Sequence, residues 1–470
     1  MKYSSLRKTH PKFFYHSCKT ERAGKDLRVS FEFSIPPGIS FSPALIIRDI
    51  PVKRVKEIGK EILNNLVFNL GLVEMISYWK ATCSPEIVVE AGPLDQKQKA
   101  WFKNLILKGM GEYFYKNKIN FTSPNFLKIA SLTTSLTPLS YPHLNGVKEN
   151  QQRTLVPVGG GKDGAVTLEL LKETNIKLRP FLLNPKKEQR DVLEAAGIKN
   201  PVIVERTIDP KLLELNRKGY LNGHTPFSAY LAFLTTLAAA LFGYKYIALS
   251  NEESSNEGNL RYLGKTINHQ YSKTYEFEEN FREYCEIYLS PDIEYFSFLR
   301  PLSELQIAKI FARYPQYFPA FLSCNTAHKT YSGTKHPERT WCKTCPKCLF
   351  VFAILYPFVP SQTLVETFGG NLFENPALIP LMQELTGEKR FKPFECVGTA
   401  KESIAAFFLS AKKAEREDGE LPGLLVYFKK RILPRRKNIA KTAARILSSW
   451  NRRHFLPAQF EDILKKHAQS

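Results

Sequence analysis

Residues 156–164 read Val156-Pro157-Val158-Gly159-Gly160-Gly161-Lys162-Asp163-Gly164. Three consecutive glycines directly after an apolar run let backbone N–H groups approach an anion with no side chain in the way. Leu155 to Val158 is a candidate strand and Ala165 to Lys172 a candidate helix, so the positive end of that helix points at the same place. Lys162 adds a full charge. The spacing is not GxxxxGK[ST], which excludes a Walker loop, and it is not GxGxxG, which argues against a dinucleotide site. The turn is read as a phosphate-binding loop formed by Gly159, Gly160, Gly161, Lys162, Asp163 and Gly164. A tight strand-to-helix turn that merely needs glycine is the plain alternative.

Outward from the turn, short apolar runs alternate with helical segments. Leu178 to Leu183 and Pro201 to Val204 are candidate strands. The helix Phe227 to Phe242 has Thr225 as its cap, Pro226 at its first position and Gly243 as its stop. It is too short to span a bilayer and contains Tyr230, Thr235 and Thr236, so it reads as a buried helix. Tyr246 to Leu249 follows as a strand. This rhythm predicts an α/β fold with a doubly wound parallel sheet and a ligand at the carboxyl ends of its strands. Upstream, Phe31 to Ile35 alternates as a strand ended by Pro36-Pro37-Gly38. Val55 to Met75 and Gln98 to Phe114 recur at helical spacing, and Leu132 to Tyr141 reads as a linker. Four regions result: an α+β domain over 1–145, a nucleotide-binding domain over 146–323, a cysteine-rich helical region over 324–426 and a basic tail over 427–470.

Two polar segments accompany the turn. Asn222-Gly223-His224 precedes the capped helix, where the dipole keeps His224 neutral and able to hydrogen-bond an oxygen, with a capping or packing histidine as the plain alternative. Ser250 to Asn259 leaves a strand end, and its carboxylates suit Mg²⁺ or proton transfer, against the alternative of a solvated loop. Asn268 to Lys273 is dense in groups that exchange protons or hold a carboxylate. Farther on, Cys324, Cys342, Cys345 and Cys348 give C-x₁₇-C-x₂-C-x₂-C. Four thiolates at this spacing suit a closed, structural zinc site, with Lys343 and Lys347 offsetting charge. An iron–sulfur cluster has similar ligand needs, and a redox CxxC pair would leave two cysteines unexplained.

A chain of 470 residues that is 43% hydrophobic can bury a sizeable core, which excludes global disorder. The 67 Lys and Arg exceed the 45 Asp and Glu, for a formal net charge of +22, which favours an anionic partner without choosing one. No apolar h-region follows the first residues, so export is not expected and the reading is cytoplasmic. The tail from Tyr427 carries twelve Lys and Arg against Glu461 and Asp462. Its stripe of Ile439, Ala443, Ile446, Leu447 and Trp450 suits either packing on the body or peripheral contact with an anionic membrane.

The glycine turn resembles the PP-loop of ATP pyrophosphatases, usually SGGxDS, with Gly159 and Gly164 in place of its serines. The cysteine spacing is similar to that of PP-loop enzymes that form a deazaguanine precursor. More extensively, the chain resembles the bacterial UDP-N-acetylmuramoyl-L-alanyl-L-glutamate epimerases of the MurL type. The similar stretches are Gly71 to Cys83, Val158 to Asp163, Gly223 to Phe227, Ser250 to Asn259, Asn268 to Lys273, Leu299 to Leu305, Trp341 to Phe350 and Lys392 to Gly398. The resemblance implies inversion of the terminal glutamate of a UDP-linked muramoyl dipeptide, with ATP and Mg²⁺, through an acyl-adenylate and with no obligatory nucleic acid. It implies triphosphate contacts at Gly159 to Asp163, helped by Gly164, Asn222 and Ser250. It further implies Mg²⁺ at Glu252 or Glu253, proton transfer by His224 and His269, and substrate anchors at Lys273 and Arg300. Lys162, Asp163 and Glu253 complete the expected catalytic set. Competing readings are an RNA-modifying or deazapurine-forming PP-loop enzyme and a non-catalytic nucleotide-binding protein.

Overall fold

The computed structural model describes residues 1–131, 153–328, 340–389, 391–417 and 419–468. The linker expected over Leu132 to Tyr141 and the boundary at 145/146 lie outside these residues. An 11-stranded mixed sheet organises the chain. Its strands are β1 (Lys12–Ala23), β2 (Asp26–Ile35), β3 (Ile39–Phe41), β4 (Ala44–Ile47), β5 (Glu86–Val89), β6 (Lys128–Ser131), β7 (Arg153–Pro157), β8 (Lys177–Leu183), β9 (Val202–Thr207), β10 (Tyr246–Leu249) and β13 (Glu294–Ser297). A separate hairpin pairs β11 (Leu260–Tyr262) with β12 (Lys265–Ile267).

Across the sheet the order is β13-β10-β7-β8-β9-β4-β2-β1-β5-β6, with β3 on β2. The five strands from β13 to β9 are mutually parallel. From the central β7 the chain moves outward through β8 and β9, then returns to the other side with β10 and β13. The switch point therefore lies between β7 and β10, where loops leaving the two carboxyl ends diverge and open a crevice. The glycine turn leaves β7 and the run from Ser250 leaves β10, so both line that crevice.

Both faces of this half are covered, as the near-continuous apolar character of its strands requires. Leu155 and Ile247 enter one core with the helix Phe227–Phe242, while Val156, Tyr246 and Ala248 enter the other with the helix Lys162–Lys172. The α/β expectation holds, with one correction: the parallel strands do not form a sheet of their own. β4 pairs antiparallel with β9, Ala44 opposite Thr207, so the N-terminal strands continue the same sheet. β9 would otherwise be a bare edge, and no local pattern in a sequence says which distant strand will cover an edge. Arg206 next to that seam reinforces it, donating to the buried Glu74 at 2.8 Å.

Local corrections have local causes. The Val55–Met75 stretch is two helices, Val52–Ile58 and Lys60–Glu74, separated by Gly59 at φ +80°, where glycine avoids a Cβ clash. The Gln98–Phe114 stretch likewise breaks at Met110. Pro226, rather than Thr225, occupies the cap of the Phe227–Phe242 helix, whereas Gly243 ends it in the left-handed conformation as read. No helix among the described residues is long and apolar enough to cross a membrane.

The basic tail belongs to the body. Ala443 is buried, and Ile439, Ile446, Leu447 and Trp450 pack on the second core, so the apolar stripe faces protein rather than a bilayer. Asn451 N–H donates to Pro301 at 3.0 Å. Beyond it, Phe460 is fully buried with ring centroids 5.1 Å from Tyr246 and 4.8 Å from Phe296. Phe460→Ala is expected to lower stability by about 3–5 kcal/mol, measurable by urea unfolding, and deletion from Tyr427 should give insoluble or molten protein.

Candidate active site

The glycine turn is held by its neighbours before any ligand arrives. Gly160 has φ +83°, and a Cβ there would lie 2.8 Å from Glu188 Cγ and 3.2 Å from backbone. Its carbonyl accepts from Leu322 N–H at 2.9 Å, and Gln189 Nε2 donates to Val158 O at 2.8 Å. Gly159 faces open space, whereas a Cβ at Gly161 would meet Ser323 Oγ at 2.6 Å. The helix begins at Lys162, three residues earlier than the apolar pattern suggests. Lys162 is therefore in its first turn, and it does not stand free over the glycines. It is buried and paired with Asp163 and Glu304. Burial lowers the proton affinity of Lys162, but the two carboxylates override this and raise it.

Asp163, Glu252 and Glu304 bring carboxylate oxygens within 4.8 Å of one another, a donor set of hard oxygens that suits Mg²⁺. Glu253 is not in this group. It sits on the wall of an adjoining cavity of about 880 Å³ with Ser303, Thr399 and Glu402, and burial raises its carboxyl. Glu402 accepts from the backbone N–H of Glu304 and of Thr399, each at 2.7 Å. Burial pushes its carboxyl up to about 7, with the charge of Glu304 adding to the push. Lys347 reaches Glu304 at 3.9 Å and donates to the carbonyl of Cys396, so it serves this cluster rather than the thiolates. Lys343 donates to Gly369 O at 3.1 Å.

The two histidines meet. His224 and His269 have ring centroids 4.2 Å apart. Burial and the neighbouring His269 depress His224 to about 3, so it is neutral, as the helix end also favours. His269 loses proton affinity to burial, but bonds to Cys396 and Glu112 raise it to about 9. Lys80, from the Gly71–Cys83 stretch, donates to Gly223 O at 3.2 Å and so positions the His224 loop. Asn222 folds onto its own turn, its Oδ1 accepting from Gly223 N–H at 2.8 Å, and Ser250 Oγ lies 2.9 Å from Thr167 Oγ1.

Arg300 requires a correction. It is fully buried and its donors go to Glu278, Glu252 O, Ser255 Oγ, Ser297 Oγ and Lys273 O. A guanidinium so engaged ties together the loops after β10 and β12 and cannot also anchor a substrate. Lys273 is likewise engaged, its ammonium 3.4 Å from Cys396 Sγ. Asn259 gathers the same loops, accepting from His269 N–H at 2.7 Å and donating to Pro393 O at 2.7 Å.

Glu112, Glu304, Glu402 and Cys396 were not read as site residues, and Lys347 was read only as offsetting charge at the thiolates. Glu304 and Cys396 lie within stretches singled out by resemblance, but a single Glu or Cys has no spacing that marks it.

Close to the turn, the four cysteines converge, with all sulfurs within 4.8 Å. Cys342 and Cys348 are 3.7 Å apart and Cys345 and Cys348 3.5 Å. A tetrahedral ion with metal–sulfur bonds of ~2.3 Å has an edge of about 3.8 Å, so the cluster can hold a metal. Cys345 caps the helix Pro346–Leu355, which carries Lys347 to Glu304.

The fold is α/β, and the clustered polar groups gather beside the switch point in the parallel half of a mixed sheet. The MurL N-terminal domain matches residues 4–298 and the MurL C-terminal domain residues 320–432. A Micromonospora protein named UDP-N-acetyl-alpha-D-muramoyl-L-alanyl-L-glutamate epimerase is 34% identical over 88% of this chain and 90% of its own. Proteins of the same name from Salinispora tropica and Xanthomonas oryzae pv. oryzae are each 34% identical, over 84% of both chains and over 74% and 75% respectively. The chain belongs to the MurL family of epimerases.

Three outcomes are expected. Elemental analysis should find one metal ion per chain, lost in Cys348→Ser together with thermal stability. Gly160→Ala should lower stability by about 2 kcal/mol or more through its backbone and its clash. Gly164→Ser, whose Cβ meets nothing nearer than 3.6 Å, should fold as the parent does.

Proposed function

We propose that the chain inverts the terminal L-glutamate of UDP-N-acetylmuramoyl-L-alanyl-L-glutamate to D-glutamate in the cytoplasm, as a step in peptidoglycan precursor synthesis. ATP is the co-substrate, and AMP and diphosphate leave. The observation that carries the reading is the carboxylate group Asp163–Glu252–Glu304, paired with Lys162 beside a glycine turn at a switch point. That arrangement supports assigning the turn to the PP-loop class.

The α-proton of a carboxylate is hard to remove because the carbanion would form beside an existing anion. An acyl-adenylate neutralises that carboxylate, and its carbonyl can then accept the developing charge. Hydrolysis afterwards returns the acid, so ATP makes inversion directional. Within the chain, Gly159 to Gly161 present backbone N–H groups to the phosphates. Lys162 holds Asp163 and Glu304 in place, and Asp163, Glu252 and Glu304 would hold Mg²⁺, which neutralises phosphate charge. Zinc is the metal assigned to Cys324, Cys342, Cys345 and Cys348, because four thiolates close its coordination. Its role is to fix the helix that delivers Lys347. The +22 charge suits a substrate bearing a diphosphate and carboxylates.

Purified protein with ATP, Mg²⁺ and the L-glutamate substrate should yield D-glutamate on chiral analysis after hydrolysis, with deuterium at the α-carbon in D₂O. Inversion at an equal rate without ATP would overturn the acyl-adenylate route. Lys162→Ala should slow diphosphate release by about 10²–10³-fold.

A further inference from the structure

The segment Lys392 to Gly398 enters the site from the cysteine-rich region, and its Cys396 is not one of the four clustered thiols. Cys396 Sγ takes a hydrogen bond from Lys273 Nζ at 3.4 Å, and His269, whose Nδ1 faces Glu112, lies beside it. Glu112, His269 and Cys396 thus form a carboxylate–imidazole–thiol relay, the arrangement that orients and activates a sulfur. Burial disfavours the thiolate, but Lys273, His269 and Lys347 outweigh it and bring the thiol down to about 6. A second feature points to a ligand here. The Lys392 ammonium is buried and makes no hydrogen bond among the described residues, meeting only Glu257 at 3.9 Å. A buried ammonium without a hydrogen-bond acceptor is costly unless a ligand supplies one, and the acceptor that suits it is an anionic oxygen.

We propose that Cys396 is the proton-transfer residue on one face of the substrate glutamate, with His269 and Lys273 as its positioning residues. The proposal rests on the epimerase reading but not on how the carboxylate is activated. As a thiolate, Sγ removes the α-proton: the Cα–H bond breaks, an S–H bond forms, and the electron pair passes into the adjacent carbonyl. A proton from an N–H acid on the opposite face then re-forms the C–H bond with inverted configuration. Loss of the proton from Sγ to solvent restores the thiolate for the next turnover. Lys392 donates to a carboxylate oxygen of the same glutamate.

The test uses the full chain, the UDP-linked dipeptide, ATP and Mg²⁺, and compares the parent with Cys396→Ala and Cys396→Ser. Diphosphate release, chiral inversion and α-deuterium incorporation are followed separately. In both variants inversion and deuterium incorporation should fall by at least ~100-fold, while diphosphate release falls by less than about tenfold. Variants that invert within about threefold of the parent would overturn the proposal, as would equal loss of all three readouts. A glutamyl thioester on Cys396 in the intact mass would overturn it too, by making the sulfur a nucleophile. Should neither variant fold, alkylation of the parent by iodoacetamide decides: substrate with ATP must protect Cys396, and unchanged labelling refutes the assignment. A parent that never inverts the dipeptide is a failure of the epimerase reading itself, and is thereby distinguished.

Discussion

Glu304 is the carboxylate on which the site is assembled. It is buried, paired with Lys162 from the glycine-turn helix, within 3.9 Å of Lys347 from the helix after the cysteine cluster, and its own N–H is held by Glu402. Four segments distant in sequence therefore share one charge. Removing one partner from a buried ion pair costs about 3–5 kcal/mol, far more than the pair itself contributes over an apolar substitute. The pair is better understood as a constraint on geometry than as a source of stability. Its register is set locally by the capping box of Ser303 and Gln306, which starts the helix carrying Glu304.

Several elements were readable from local chemistry alone. The Phe227–Phe242 helix follows from an apolar run with glycine after it and β10 from the short apolar run beyond that glycine, and the order strand–turn–helix at Val158 to Asp163 is unambiguous because three glycines have few other uses. What the sequence withheld is pairing. β4 and β9 look like any short apolar strands, and their antiparallel seam is decided by sheet edges that exist only once both halves have formed. The tail was left between two readings for a related reason. An amphipathic stripe such as Ile439 to Trp450 has the same period whether it faces lipid or a protein core, and only the position of the second core distinguishes them.

The site divides along the same line. The convergence of the four cysteines was legible because their spacing is a geometric statement. Arg300 was misread because a buried arginine with protein partners and an anchoring arginine have identical local sequence. Glu304, Glu402 and Cys396 carry no local signature at all. Their significance arises from burial among charged groups brought from distant segments, Lys162 after β7 and the His269–Lys273 loop after β12.

The β4–β9 seam also bears on how the chain reaches this state. Ala44 and Thr207 must meet across a large loop. Closing a loop costs only slightly more free energy as it lengthens, so the seam weighs little on equilibrium stability. Pairings between residues so far apart are slow to form, however. Contacts within each half are more local, from the β1–β2 hairpin with Ala23 opposite Asp26 to the βαβ pairing of Arg153 with Lys177, so each half can form before β4 docks on β9. Until then β9 is an open edge, and the interval before docking is when the chain is most exposed to pairing with another copy of itself.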